Sequence, residues 1–329
     1  MKILLTSDWH LKPRHPYTKM VEGKLWDELC QKKIGVLRLL PKIAEQKDVS
    51  IVVIAGDIFD TSNPPEALKA EFAKILNKFP DNIIVYVITG RAGEHDYINE
   101  NNFVMMDLKE AFKHKSNINI YDKPFCEVDR GIGAFHLMLR GISPMYDKHA
   151  VELSDEIFRD YDTILLGDYH GFYKKTYGKK TFIYAGNPYP TRYGEVPNGV
   201  AIIDIDNKYK IKKISRVKIS SFTLEEIFDI NAIENFDPDN NGQDYVLKAI
   251  LSNVKPKEIN GTINKLNHLK HNLPNGCMDL IWEIKTGKID DEKVIGKSGL
   301  RETCFEYIEK KSEYPKSCKK IFTRIESEC

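Results

Sequence analysis

Along the first part of the chain, short and almost unbroken apolar runs alternate with longer stretches of mixed character. The runs at 2–6, 51–55, 83–88, 117–121, 132–136, 162–166 and 181–184 are rich in Ile, Val and Leu. Apolar runs of that length, bounded by turn residues, read as strands buried on both faces. Between the early ones, apolar residues recur at helical spacing over 25–46, 65–78 and 103–113. An alternation of β and α predicts a central sheet covered by helices, with function gathered at the carboxyl ends of the strands. Past Asn198 the pattern changes to a hairpin, 200–205 and 209–218, turned by Asp206 and Asn207.

The stretch from Ile230 to Gly242, with Asn235, Asp237, Pro238, Asp239, Asn240 and Asn241, is made of turn-forming residues and reads as a linker. It divides the chain into an expected large α/β domain at 1–229 and a smaller α+β domain at 230–329. The second part carries a strand pattern at 245–251, a helix at 256–268, a strand at 278–285 and helices at 299–311 and 316–327. Leu300, Cys304 and Ile308 give one of the last two helices an apolar stripe, as Ile321, Phe322 and Ile325 do the other.

Composition narrows the picture only slightly. A net charge of +1 with 29% charged residues leaves no global field, so contact with a nucleic acid must come from local basic patches. The six cysteines, Cys30, Cys126, Cys277, Cys304, Cys318 and Cys329, form no C-x-x-C pair, which argues against a zinc ribbon or redox dithiol. Met1 to Ser7 runs directly into a strand and a polar motif, with no room for a signal peptide, and no apolar run is long enough to span a bilayer. A cytoplasmic, reducing setting without membrane contact is the expectation.

The candidate chemistry sits where the strands end. The first run leads into Asp8-Trp9-His10, and the second into Gly56-Asp57-Ile58-Phe59-Asp60. The third leads into Gly90-Arg91-Ala92-Gly93-Glu94-His95-Asp96, another closes on His136, and the next on Gly167-Asp168-Tyr169-His170. Any one of these histidines alone reads more readily as a surface or satisfied core residue than as a ligand. An ordered set of five strand exits carrying carboxylates and imidazoles forms a metal-ligand pattern.

This ordered set resembles the calcineurin-like metallophosphoesterases, whose motifs run D-x-H, G-D-x-x-D, G-N-H-D/E, H and G-H-x-H; the likeness covers residues 1–205. Met1-Lys2-Ile3-Leu4, the Gly56 to Asp60 run and Tyr184-Ala185-Gly186-Asn187-Pro188 look like the SbcD-type nuclease subunits of DNA break repair and phage recombination. The resemblance implies the calcineurin-like fold, with central β-sheets flanked by helices. It implies one metal held by Asp8, His10, Asp57 and His170, with Asp57 bridging to a second held also by Glu94, His136 and Asp168. His95 would contact the scissile phosphate, with Asp60 orienting it. Glu94 and Asp168 depart from the family's Asn and His, and a site richer in oxygen favours Mn²⁺, or Mg²⁺, over zinc. Added negative charge also makes bound water less acidic and repels phosphate unless a cation such as Arg91 offsets it, so a weakened second site is the opposing expectation. Arg91-Ala92-Gly93 looks like an insertion relative to the family.

For DNA, cations and stacking groups are needed beside the metals. Lys12, Arg14 and His15 follow the first motif; Phe172, Tyr173, Lys174 and Lys175 follow the last; Tyr189, Arg192 and Tyr193 lie in the next loop. Each also reads as an ordinary loop residue. The helix opened by Pro64-Pro65-Glu66 places Leu68, Phe72, Ile75 and Leu76 on one face, which suits either a homodimer, as the resemblance implies, or internal packing. The resemblance further implies a coiled-coil ATPase partner of SbcC type, contacted by the C-terminal helices. Two rival readings remain: a small-molecule phosphoesterase, and a catalytically weakened scaffold that binds DNA or a partner.

Overall fold

The computed structural model describes residues 1–11, 23–61, 64–90, 104–142, 150–192, 194–196, 198–207, 209–220, 222–233, 236, 244–274 and 277–286. Glu94, His95, Lys12, Arg14, His15, Arg91, Tyr193 and the helices expected at 299–311 and 316–327 lie outside the described residues.

The apolar runs form β1 (Lys2–Thr6), β2 (Ile51–Ala55), β3 (Ile84–Ile88), β4 (Ile118–Ile120), β6 (Ile132–His136), β7 (Thr163–Gly167) and β9 (Lys180–Tyr184). Two strands that the pattern does not announce, β5 (Phe125–Asp129) and β8 (Tyr173–Tyr177), pair antiparallel with β6 and β9. The expected hairpin is β10 (Val200–Ile205) with β11 (Ile211–Val217). Helical segments are α1 (Gly23–Leu37), α2 (Leu40–Gln46), α3 (Glu66–Asn77) and α4 (Val104–Phe112). The single helix expected at 25–46 is therefore two. Pro41 falls in the first turn of α2, where its missing N–H leaves no bond unmade, whereas inside a longer helix it would break the ladder.

Six strands lie in the order β11-β10-β1-β2-β3-β4, with β1 to β4 parallel, and five lie in the order β5-β6-β7-β9-β8, with β6, β7 and β9 parallel. Because side chains alternate along a strand, the first sheet faces two cores. Leu4, Val52, Ile54, Val85 and Val87 pack with Leu37, Leu68, Phe72, Ile75, Leu76 and Phe112 of the helices. Ile3, Leu5, Val53 and Ala55 face the other way and pack with Ile132, Ala134, Leu165 and Ile183 of the second sheet. The second sheet's outer face carries Phe135, Ile164, Leu166, Phe182 and Tyr184 under Phe158. The apolar face of α3 is thus spent on the protein's own core, the internal reading of that stripe. Two sheets stacked this way bring the carboxyl ends of β1 and β2 beside those of β6 and β7.

Downstream, β12 (Phe222–Ile227) pairs in parallel with β13 (Asp244–Val254), and β13 neighbours β14 (Cys277–Thr286); α5 spans Ile259–His271. The chain divides into two compact units, Met1–Ile250 with Ile263–Glu283, and Leu251–Thr262 with Ile284–Cys329. Among the described residues, no helix is long and apolar enough to cross a membrane.

Candidate metal centre

The exits of β1 and β2 are zipped together by backbone bonds. Asp8 N donates to Gly56 O (3.1 Å), His10 N to Asp57 O (2.9 Å) and Leu11 N to Ile58 O (2.8 Å). To turn this sharply, the chain puts Asp8 (φ 55°), His10 (φ 42°), Asp57 (φ 49°) and Asp168 (φ 96°) in the left-handed region. That conformation costs a non-glycine residue roughly 1–3 kcal/mol, and such strain collects at functional sites. Packing holds the turn in place. Trp9, fully buried between the two ligand-type residues, lies edge-on to Phe72 at 5.6 Å, and its carbonyl accepts a bond from the Tyr189 hydroxyl at 2.5 Å.

Each of the three described histidines at strand exits has its Nδ1 side tied down. His136 Nδ1 is 2.7 Å from the Ala55 carbonyl, which can only accept, so the proton sits on Nδ1. His10 Nδ1 is 3.3 Å from Asp60 Oδ1, and His170 Nδ1 is 2.7 Å from Glu195 Oε1. With the proton on Nδ1, the Nε2 atom of each neutral ring presents a lone pair, and the three converge on two carboxylates. Asp57 Oδ2 is 3.6 Å from both His10 Nε2 and His136 Nε2, and Asp8 Oδ1 is 4.0 Å from His170 Nε2. Ligand atoms within 4.8 Å of one another form two groups, Asp8 with His10 and His170, and Asp8 with Asp57 and His136.

Space for these rings depends on glycine. A Cβ on Gly56 (φ 81°) would lie 2.8 Å from Thr89 O and closer still to His136 Nδ1. One on Gly167 would lie 2.7 Å from His136 Nδ1 and closer to Ala55 O. Asp8 is oriented by the Ser7 hydroxyl and by the Asp168 amide, which donates to its Oδ1 at 3.1 Å.

The electrostatics suit cations. Burial pushes His10 down to about 4 against the pull of Asp57, so the ring is neutral at pH 7. Burial alone would raise Asp57, yet His136, His10 and His170 around it hold its carboxyl well below the usual range. His170 is raised, since Glu195 and Asp8 outweigh the effect of burial. Burial opposes ionisation of Glu195 too, but the bond from His170 brings it down to about 2. His10 Nε2 and His170 Nε2 lie 3.1 Å apart. A protonated His170 can donate across that gap to the neutral His10 ring; once that proton is gone, two lone pairs face the same space. A set of three imidazole nitrogens and two carboxylates, with the far side of each ring hydrogen-bonded, fits divalent transition-metal ions.

Of the residues expected from sequence, Asp8, His10, Asp57, His136 and His170 come together. Asp60 is placed on His10 Nδ1; Glu94 and His95 lie outside the described residues. The Asp168 carboxylate is in neither of the two ligand groups found among the described residues; its backbone amide donates to Asp8. Tyr173 opens β8 half-buried, Lys174 and Lys175 are exposed on that edge strand, and Arg192 is exposed in the loop before Glu195. Sequence reasoning missed Glu195, Asn198, Asn187 and Thr191. Asn198 Nδ2 donates to His170 O at 2.7 Å and to Asn187 Oδ1 at 3.2 Å, fixing the loop that carries the last ligand. The one local signal was an acid after Gly194 in the polar loop behind the last motif.

The SbcD component of nuclease SbcCD from Bacillus subtilis is 30% identical over 131 residues, 39% of this chain and 29% of that protein. DNA double-strand break repair protein Mre11 of Sulfolobus acidocaldarius is 25% identical over 295 residues, 78% of this chain and 72% of that protein. The chain therefore matches under a third of the Bacillus relative's length. Among solved structures, a novel archaeal phosphodiesterase aligns over 66% of this chain and 100% of its own, with a TM-score of 0.37 and 18% identity. The calcineurin-like phosphoesterase family matches residues 1–314, nearly the whole chain, and this protein belongs to it.

Proposed function

We propose that the chain is a metal-dependent DNA nuclease that hydrolyses phosphodiester bonds in recombination or double-strand-break repair. The observation that carries this reading is the convergence of His10, His136 and His170 Nε2 on Asp8 and Asp57 at the mouth of two stacked sheets. Asp8, His10 and His170 would hold one ion and Asp57 and His136, with Asp8, the other. Asp57 Oδ2 lies 3.6 Å from both His10 and His136 Nε2, which supports a bridging role for it on this reading. Divalent ions bound there, Mn²⁺ or Mg²⁺, would supply Lewis acidity toward the phosphate and acidify water. On this reading Glu94 and Asp168 would add carboxylate character, and His95 would protonate the departing oxygen or donate to the phosphate. DNA as substrate is supported by the names of the relatives and by exposed Lys174 and Lys175, a few residues past His170.

On the same reading, a second copy of this chain and a coiled-coil ATPase are partners, residues 230–329 form the partner-binding part, and the protein works in the cytoplasm. The test is cleavage of single- and double-stranded DNA with Mn²⁺ or Mg²⁺ by wild type, His95→Ala and Asp57→Ala, alongside a small chromogenic phosphodiester. DNA cleavage lost in both variants is expected. Turnover of the small ester alone would replace the reading with a small-molecule phosphoesterase, and DNA binding without any turnover would make the chain a scaffold.

A further inference from the structure

Glu195 lies twenty-five positions beyond His170 and belongs to no motif, yet its carboxylate is divided between two tasks. Oε2 accepts four bonds, from Asn187 Nδ2 (2.9 Å), Thr191 N (2.8 Å), Thr191 Oγ1 (2.8 Å) and Arg192 N (3.0 Å). Oε1 faces His170 Nδ1 at 2.7 Å, with Thr191 Oγ1 also 3.2 Å from that nitrogen. Backbone amides can only donate, so the loop fixes which oxygen lies where, and the oxygen left over can only accept from His170. The proton of a neutral His170 ring is thereby confined to Nδ1. Nε2, which points at Asp8 and at His10 Nε2, keeps its lone pair.

We propose that Glu195 is a positioning residue for the metal centre, setting the tautomer and orientation of His170 so that Nε2 is ready to bind a cation. The role rests on the two-metal reading above. An outer carboxylate on the far side of a ligating imidazole also raises its basicity, and loss of such a partner costs about 10–100-fold in metal affinity.

Glu195→Gln separates this role from a structural one. The amides of Thr191 and Arg192 demand an acceptor, so the Gln oxygen takes the place of Oε2 and the loop stays tied. The Gln NH₂ then occupies the place of Oε1 and points a donor at His170 Nδ1. The ring must surrender its Nδ1 proton, moving it to Nε2, the atom that has to bind metal. Glu195→Ala removes both tasks at once.

The experiment is long-range ¹H–¹⁵N correlation NMR of ¹⁵N-histidine-labelled, metal-free protein at a pH where the His170 ring is neutral. The His170 signals are identified by their loss in His170→Gln, and Mn²⁺ titration and thermal melting are run on the same samples. Expected are an Nδ1–H ring in wild type, an Nε2–H ring in Glu195→Gln, and Mn²⁺ affinity about 10–100-fold weaker in that variant. Its metal-free melting temperature should stay near wild type, while that of Glu195→Ala falls. An Nδ1–H ring and unchanged Mn²⁺ affinity in Glu195→Gln, in a background where wild type binds Mn²⁺, would overturn the role of Glu195 alone. Failure of wild type to bind Mn²⁺ would overturn both this role and the metal centre.

Discussion

Replacing Gly56 by Ala tests how strictly the backbone sets the centre. Gly56 follows β2 with φ 81°, and its missing Cβ is the space that His136 fills. A left-handed alanine costs about 1–2 kcal/mol. Forcing a methyl against the His136 ring and Thr89 O adds about 1–3 kcal/mol of overpacking. If His136 gives way, its bond to Ala55 O is lost, about 1 kcal/mol more. Reduced freedom of the unfolded chain returns about 0.4–1 kcal/mol. The net is about 2–6 kcal/mol out of a total stability of about 5–15 kcal/mol. Urea denaturation followed by far-UV circular dichroism should show that loss as a lower midpoint, and Mn²⁺ titration of the folded variant should show weakened binding as His136 Nε2 is displaced from Asp57. A variant with wild-type midpoint and wild-type Mn²⁺ affinity would refute the claim that this glycine is required by the ring behind it.

Trp9→Ala should cost about 3–5 kcal/mol, because a fully buried indole is removed from the turn that holds both flanking ligands; chemical denaturation measures it. Because His10 is held near 4, below its ordinary value, its contribution to the stability of the metal-free protein is complete above pH 6.5 and is lost as pH falls toward 4. That contribution is on the order of 3 kcal/mol, so urea midpoints of wild type should fall more steeply over this window than those of His10→Gln. Burial pushes the Cys126 thiol up to about 12, so in the folded protein it should stay unmodified by iodoacetamide at pH 8 and react only on denaturation, as mass spectrometry would detect.

Much of the centre was legible because each ligand follows a strand with an unmistakable apolar run. The period and the motif together located Asp8, His10, Asp57, His136 and His170 before any geometry. What escaped lies where neither signal exists. The β8 sequence Tyr-Lys-Lys-Thr-Tyr carries no apolar face because it is an exposed edge strand, and lysine on an edge discourages pairing with other chains. In β5 only Cys126 and Val128 turn inward, too few for a pattern to register. Glu195 acts through loop geometry, which leaves no periodicity in the sequence. Asp168 is the most instructive case: its side chain drew attention as a ligand type, while the contact it makes to Asp8 runs through the backbone amide, a group every residue but proline possesses. Asp60 shows a further contact that spacing along the chain does not announce: its Oδ1 lies 3.3 Å from His10 Nδ1.

The central claim is that two divalent ions sit between the three Nε2 atoms and the carboxylates of Asp8 and Asp57. Anomalous diffraction at the manganese edge from Mn²⁺-soaked crystals tests it directly. The account predicts two peaks about 3.5–4 Å apart, one against His10 and His170 Nε2, the other against His136 Nε2, with Asp57 between them. No peak at these atoms, or manganese bound only elsewhere on the chain, would contradict it.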